Sequence, residues 1–259
     1  MARYRERRGQ PPDQLPFLQL IPNLVTILGL CAGLTALRFV IQGKFEPAAA
    51  LIIFAALLDS IDGLLARRLN AQSDFGAQLD SLADFLNFGV VPAVLVYQLN
   101  LAGTADITWT AALIFAVCAC LRLARFNVNR TAPVVGRAYF TGVPAPAGAL
   151  LGMLPAFATF AGLAAPESLA WPATVWLIFV GLLMISRLKT FAPKGLRISR
   201  EQVRFLLVGV ALLVGLTFTR FWLLMIFIDV VYAATLVHAL AVSRRPRALS
   251  ADHNPGDTP

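Results

Sequence analysis

Asp59, Asp62, Asp80 and Asp84 raise the chemical question, because all four lie within stretches that are otherwise apolar. Residues three or four apart share one face of a helix, so Asp59 pairs with Asp62 and Asp80 with Asp84. Gly76 continues the second face at the same interval of four. Asp59 lies eight residues before Arg67 and Asp84 eight after Gly76, about 12 Å along each helix. Two antiparallel helices joined by a short connection near 68–75 would therefore bring the four carboxylates to one depth, in a cavity open towards that connection. Each carboxylate costs about 2.5–3.5 kcal/mol to insert at the centre of a membrane, so compensation is required. With no His or Cys nearby, the group is a hard oxygen donor set that suits Mg²⁺ or Mn²⁺. Mg²⁺ commonly completes its shell with substrate phosphate, and two ions sharing such ligands clamp an in-line displacement at phosphorus.

Gly63, Ala66 and Gly76 are small enough to let a bulky ligand approach the backbone, although close packing of membrane helices asks for the same residues. Arg67, where the helix meets the connection, suits a phosphate and equally suits a topological anchor. Asn23 and Thr26, three apart at the start of the first apolar stretch, either reach towards the bound ligand or bond locally.

The elements that must position these residues are transmembrane helices. Hydrophobic residues make up 58% of the 259, charged residues only 14%, and the mean hydropathy is +0.71. Soluble domains carry about 25% charged residues, and the apolar excess here is arranged in long runs. These exclude a soluble enzyme, a disulfide scaffold and a disordered chain. A span needs about 20 apolar residues. Candidates fall near 18–41, 47–66, 76–99, 109–126, 143–164, 171–188, 204–219 and 221–242, which predicts an all-α polytopic bundle of about eight spans. Residues 1–17 read as a basic arm retained on the first span, 18–242 as the membrane domain and 243–259 as a flexible tail. Of the 22 Lys and Arg, only Arg38, Lys44 and Arg220 fall on the side opposite the termini. The positive-inside rule then places both termini and the aspartate cavity in the cytoplasm. The net charge of +8 is thereby explained by topology, with some attraction to anionic lipid, and not by nucleic acid.

The pattern Asp59-x2-Asp62-Gly63-x2-Ala66-Arg67-x8-Gly76-x3-Asp80-x3-Asp84 resembles, at every position, the signature of the CDP-alcohol phosphatidyltransferase family. Eight fixed residues over 26 positions are highly specific. The resemblance implies a six-helix core, here with two further helices, and displacement of CMP from a CDP-lipid by an alcohol hydroxyl. It implies metal ligation by the four aspartates, Asp84 as general base, and Gly63, Ala66, Arg67 and Gly76 beside the nucleotide. It further implies a homodimer in the inner membrane of a prokaryote.

Segments 21–26, 79–85, 121–127 and 140–147 look like the phosphatidylserine synthases of this family, while 186–191 is a looser match. CDP-diacylglycerol and L-serine are the implied substrates. Arg122 and Arg125, at i and i+3 where the fourth span ends, with Asn127 adjacent, are candidates to hold the serine carboxylate. Topological anchoring explains them equally, and a glycerol 3-phosphate or inositol phosphate acceptor would also favour arginines there. Intramembrane aspartates also mark cation pathways, but a transporter should show broken helices in repeated halves. Cys118 and Cys120 form a lone CxC suited to packing, His238 reads as a helix-end residue, and Asp229 is a candidate to pair with an Arg or with Tyr232, with no functional role assigned.

Overall fold

A computed structural model describes residues 20–69, 73–101, 106–130, 140–186, 189–190, 209, 213 and 215–243. The basic arm, residues 204–208, 210–212 and 214 of the 204–219 candidate span, and the tail beyond Ser243 lie outside the described residues.

The first two helices, α1 (Ile21–Ile41) and α2 (Phe45–Arg68), form a hairpin closed by Gln42–Lys44, with Gly43 at φ 71°. Pro22, Thr26, Gly29, Gly33, Ala36 and Val40 are buried along α1. Their alternating steps of four and three describe one continuous stripe. On α2 the buried positions are Ala48, Ala49, Ile52, Ala55 and Asp62. Small side chains let the two backbones approach, which is how membrane helices gain van der Waals contact without a hydrophobic drive. Asp62 continues the packing stripe of α2, so the face that holds the hairpin together ends in a carboxylate. The opposite side of α2 shows Leu57, Ile61 and Leu64 to the outside.

Helix α3 (Asp74–Asp84) begins at Ser73, whose hydroxyl accepts the Gly76 amide at 3.0 Å as an N-cap. It runs without interruption into a π turn (Phe85–Val90), α4 (Val91–Val96) and a second π turn (Tyr97–Leu101). Pro92 cannot donate to the helix ladder, and the wider turn lies just before it. The turn directs Asn87 at α1, where its Nδ2 donates to the Gly29 carbonyl at 3.1 Å. A Cβ at Gly33 would lie 1.8 Å from Asn87 Oδ1, so that position admits only glycine in this packing.

Helix α5 (Asp106–Arg130) packs on α8 (Ala170–Ile185), with Gly181 meeting the backbone at Phe115 and the side chain of Cys118. Between them the expected fifth span is made of two pieces, α6 (Ala145–Gly152) and α7 (Leu154–Phe160), broken at Met153 ahead of Pro155. A two-residue antiparallel ladder of β1 (Phe140–Thr141) and β2 (Lys189–Thr190) ties the approach to α6 to the exit from α8. Beside it Gly142 has φ 87°, and a Cβ there would press on the Ser186 and Met184 carbonyls. The last helix, α9 (Phe221–Ser243), packs on α7 and α6, with Trp222 against the rings of Phe157 and Phe160.

Among the described residues six helical stretches are long and apolar enough to cross a membrane: Ile21–Ile41, Phe45–Arg68, Asp74–Asn100, Thr108–Val128, Pro166–Ile185 and Phe221–His238. They coincide with six of the eight expected spans. The protein is a polytopic helical bundle integral to a membrane.

Candidate active site

Three of the four signature aspartates converge. One carboxylate oxygen from each of Asp59, Asp62 and Asp80 lies within 4.8 Å of the other two. Asp62 is held from α1, since the Thr26 hydroxyl lies 2.8 Å from Asp62 Oδ2. That hydroxyl also lies 3.1 Å from the Pro22 carbonyl, so Thr26 bonds locally and positions the carboxylate at once. Asp84, one turn beyond Asp80, joins the group through a side-chain hydrogen bond with Asp59. Carboxylates this close repel unless a cation or a proton lies between them. A trio of hard oxygen donors in reach of one point therefore fits a divalent cation.

Two of the trio, Asp62 and Asp80, line a cavity of about 340 Å³. Its walls carry Asn23, Thr26, Asp62, Gly63, Ala66, Arg67, Gly76 and Asp80, the residues that the spacing of the signature and the start of the first span had singled out. Ser73, Ala77, Pro22 and Phe126 complete it. The two glycines serve different purposes. A Cβ at Gly63 would meet nothing within 4 Å, so its small size leaves room in the cavity. A Cβ at Gly76 would lie 2.7 Å from Asn23 Oδ1 and 3.0 Å from Ser73 Oγ, so its small size brings α3 onto α1. Ser73 was missed from the sequence, although Ser-Asp-Phe-Gly ahead of an apolar run is a helix-start signal that would have found it.

The three residues proposed for the acceptor are dispersed. The Arg122 charge acts on Asp84 and Asp59, placing this guanidinium at the deep end of the aspartate group. Arg125 instead donates from Nη1 to the Ile185 carbonyl at 2.6 Å, satisfying a carbonyl that the end of α8 leaves without an intrahelical donor. Asn127 Oδ1 accepts the Ser81 hydroxyl at 3.1 Å, joining α5 to α3 beside Asp80.

Comparison with known proteins follows the same residues. A protein of Mycobacterium leprae (strain TN) named CDP-diacylglycerol–serine O-phosphatidyltransferase is 43% identical over 176 residues, covering 66% of this chain and 58% of its own. One of the same name from Mycobacterium tuberculosis (strain ATCC 25618 / H37Rv) is 46% identical over 142 residues, covering 53% of this chain and 49% of its own. A third, from Bacillus subtilis (strain 168), is 36% identical over 129 residues, covering 50% and 71%. The chain thus spans 58% and 49% of the two mycobacterial relatives. Residues 19–187, which include the whole aspartate group and its cavity, match the description of CDP-alcohol phosphatidyltransferase, and the chain belongs to that family.

Proposed function

We propose that this protein transfers the phosphatidyl group of CDP-diacylglycerol to the hydroxyl of L-serine, giving phosphatidylserine and CMP. The observation that carries the reading is the convergence of Asp59, Asp62 and Asp80, the last two of which line a cavity with Gly63, Ala66, Arg67 and Gly76. The names of the relatives support serine as acceptor. Two Mg²⁺ or Mn²⁺ ions are the proposed cofactors, and when bound they neutralise the pyrophosphate and stabilise charge growing on the CMP leaving group.

Asp59, Asp62, Asp80 and Asp84 hold the cation site, with Thr26 fixing the rotamer of Asp62. Arg67, at the mouth, binds phosphate, and Gly63 leaves the space that the nucleotide fills. Asp84 receives the proton of the serine hydroxyl as its oxygen attacks the lipid-bearing phosphorus. A new P–O bond to serine forms there, the pyrophosphate P–O bond breaks, and CMP departs with that electron pair. Arg122 contributes the positive charge beside Asp84 that an acceptor carboxylate requires. Arg125 and Asn127 hold α8 and α3 in place around it. In this reading the site faces the cytoplasm, both termini lie on that side, and the protein works as a homodimer in the inner membrane. The skew of Lys and Arg supports the orientation, and the family resemblance supports the dimer.

The test is CMP release from CDP-diacylglycerol by purified protein with Mg²⁺ or Mn²⁺, offering L-serine, glycerol 3-phosphate and inositol phosphate in turn. Serine-dependent release is expected, abolished by EDTA and reduced at least about a hundredfold in Asp84→Asn. Release with a different acceptor would remove serine and keep the chemistry. No release with any acceptor from folded protein would overturn the enzyme.

A further inference from the structure

Arg122 Nε and Tyr232 OH are among the buried hydrogen-bonding atoms that have no partner among the described residues. They come from helices far apart in sequence, α5 and α9, and the charge of Arg122 acts on Asp84, Tyr232 and Asp59 together. Leaving a buried donor unmade costs about 1–3 kcal/mol, and more for a charged group. Two unpaired buried donors within electrostatic reach of each other, one of them also acting on Asp84 and Asp59, therefore describe an anion site awaiting its anion. Arg122 alone would also serve as the counter-charge of the aspartates, but that role does not explain a bare phenol beside it. α9 is held where Trp222 packs on Phe157 and Phe160. Tyr232 lies ten residues further along, about 15 Å deeper. It falls outside the 19–187 segment that matches the family.

We propose that Tyr232 is a specificity-determining residue, and that its hydroxyl and Arg122 Nε together bind the carboxylate of the amino-acid acceptor. This rests on the transferase reading above. In L-serine only Cα and Cβ separate the carboxylate from the hydroxyl. Holding the carboxylate between Arg122 and Tyr232 therefore presents the hydroxyl to Asp84, whose neighbour Arg122 is. The carboxylate accepts from both donors and leaves neither orphaned. An alcohol without the carboxylate gains nothing at this site and leaves both donors unmade, so the pair selects as well as binds.

The experiment compares wild type with Tyr232→Phe, which removes one oxygen. Kinetics are followed as CMP release with L-serine and with L-serinamide, whose amide replaces the carboxylate. The expected result is a KM for L-serine raised roughly ten- to a hundredfold, with the KM for CDP-diacylglycerol unchanged and the preference for serine over serinamide narrowed. Thermal stabilisation of donor-free protein by L-serine should need correspondingly more serine. In an Arg122→Gln background the same change should add less than it does alone, because both side chains hold one group. The variant should melt no lower than wild type, since an unpaired hydroxyl contributes nothing to folding. An unchanged serine KM and serinamide ratio in Tyr232→Phe would overturn the assignment while leaving the transferase intact. So would a markedly lower melting temperature, which would show that the hydroxyl has a structural partner. Wild type that uses glycerol 3-phosphate but not serine would overturn both the acceptor and the role of Tyr232, and wild type inactive with every acceptor would overturn the transferase itself.

Discussion

A methyl group added at Gly76 would lie 2.7 Å from Asn23 Oδ1, whereas one added at Gly63 would meet nothing within 4 Å. The same substitution should therefore report different physics at the two sites. Gly76→Ala overpacks the contact between α1 and α3 and should cost about 1–3 kcal/mol of stability, read as a lower melting temperature. Gly63→Ala should gain helix propensity, up to about 1 kcal/mol, while Gly63→Leu fills the cavity. The larger variant should melt close to wild type yet lose most of its CMP release, through a higher KM for CDP-diacylglycerol. If Gly63→Leu also melts far lower, the glycine is there for packing and the nucleotide assignment fails. Thr26 gives a third residue-scale test. Its hydroxyl orients Asp62, and loss of such an orienting bond typically weakens metal binding ten- to a hundredfold. Thr26→Val should show that loss in Mn²⁺ titrations followed by electron paramagnetic resonance, a readout independent of turnover.

At the scale of elements, Arg125 ties the end of α5 to the end of α8 through the Ile185 carbonyl. The adjoining ladder of β1 and β2 closes the same corner. Arg125→Gln should lower stability by about 1.5–3 kcal/mol, the range for a hydrogen bond to a charged group, measured by thermal unfolding in detergent. The sequence placed Arg122 and Arg125 on one face, and only the packing of α8 showed that the second is engaged elsewhere. Local spacing worked where the partners share a helix or a hairpin: Asp59, Asp62 and Asp80 meet because intervals of three and four fix faces and a short connection fixes register. It worked less well where a third element intervenes. The break of the fifth span at Met153 was signalled by Pro155 but hidden by unbroken hydropathy. Tyr232 was legible only as a neighbour for Asp229, yet its hydroxyl and Asp229 Oδ2 are both unpartnered among the described residues, since its place depends on how α9 settles on α6 and α7. The apolar runs were legible as spans because length and composition alone decide that question.

For the whole molecule, the relation between the cavity and the outside of the bundle is the informative one. Asp62, Gly63 and Ala66 line the cavity from the inner side of α2, and the exposed Leu57, Ile61 and Leu64 lie on its outer side, about 10 Å away across the helix. An amphiphile with a nucleotide head and two acyl chains can place its head inside without withdrawing its tails from hydrocarbon. Burying each methylene in hydrocarbon is worth about 0.8 kcal/mol, so a route that first lifted such a molecule into water would be prohibitively slow. Encounter with the proposed donor is therefore two-dimensional, and the quantity that governs rate is surface density. In mixed micelles, diluting the donor with inert detergent at fixed bulk concentration should slow CMP release in proportion to its mole fraction. The dependence on serine, which arrives from water, should remain one of bulk concentration. In the proposed reaction one thin helix wall thus separates two kinetic dimensions, area for the lipid donor and volume for the acceptor.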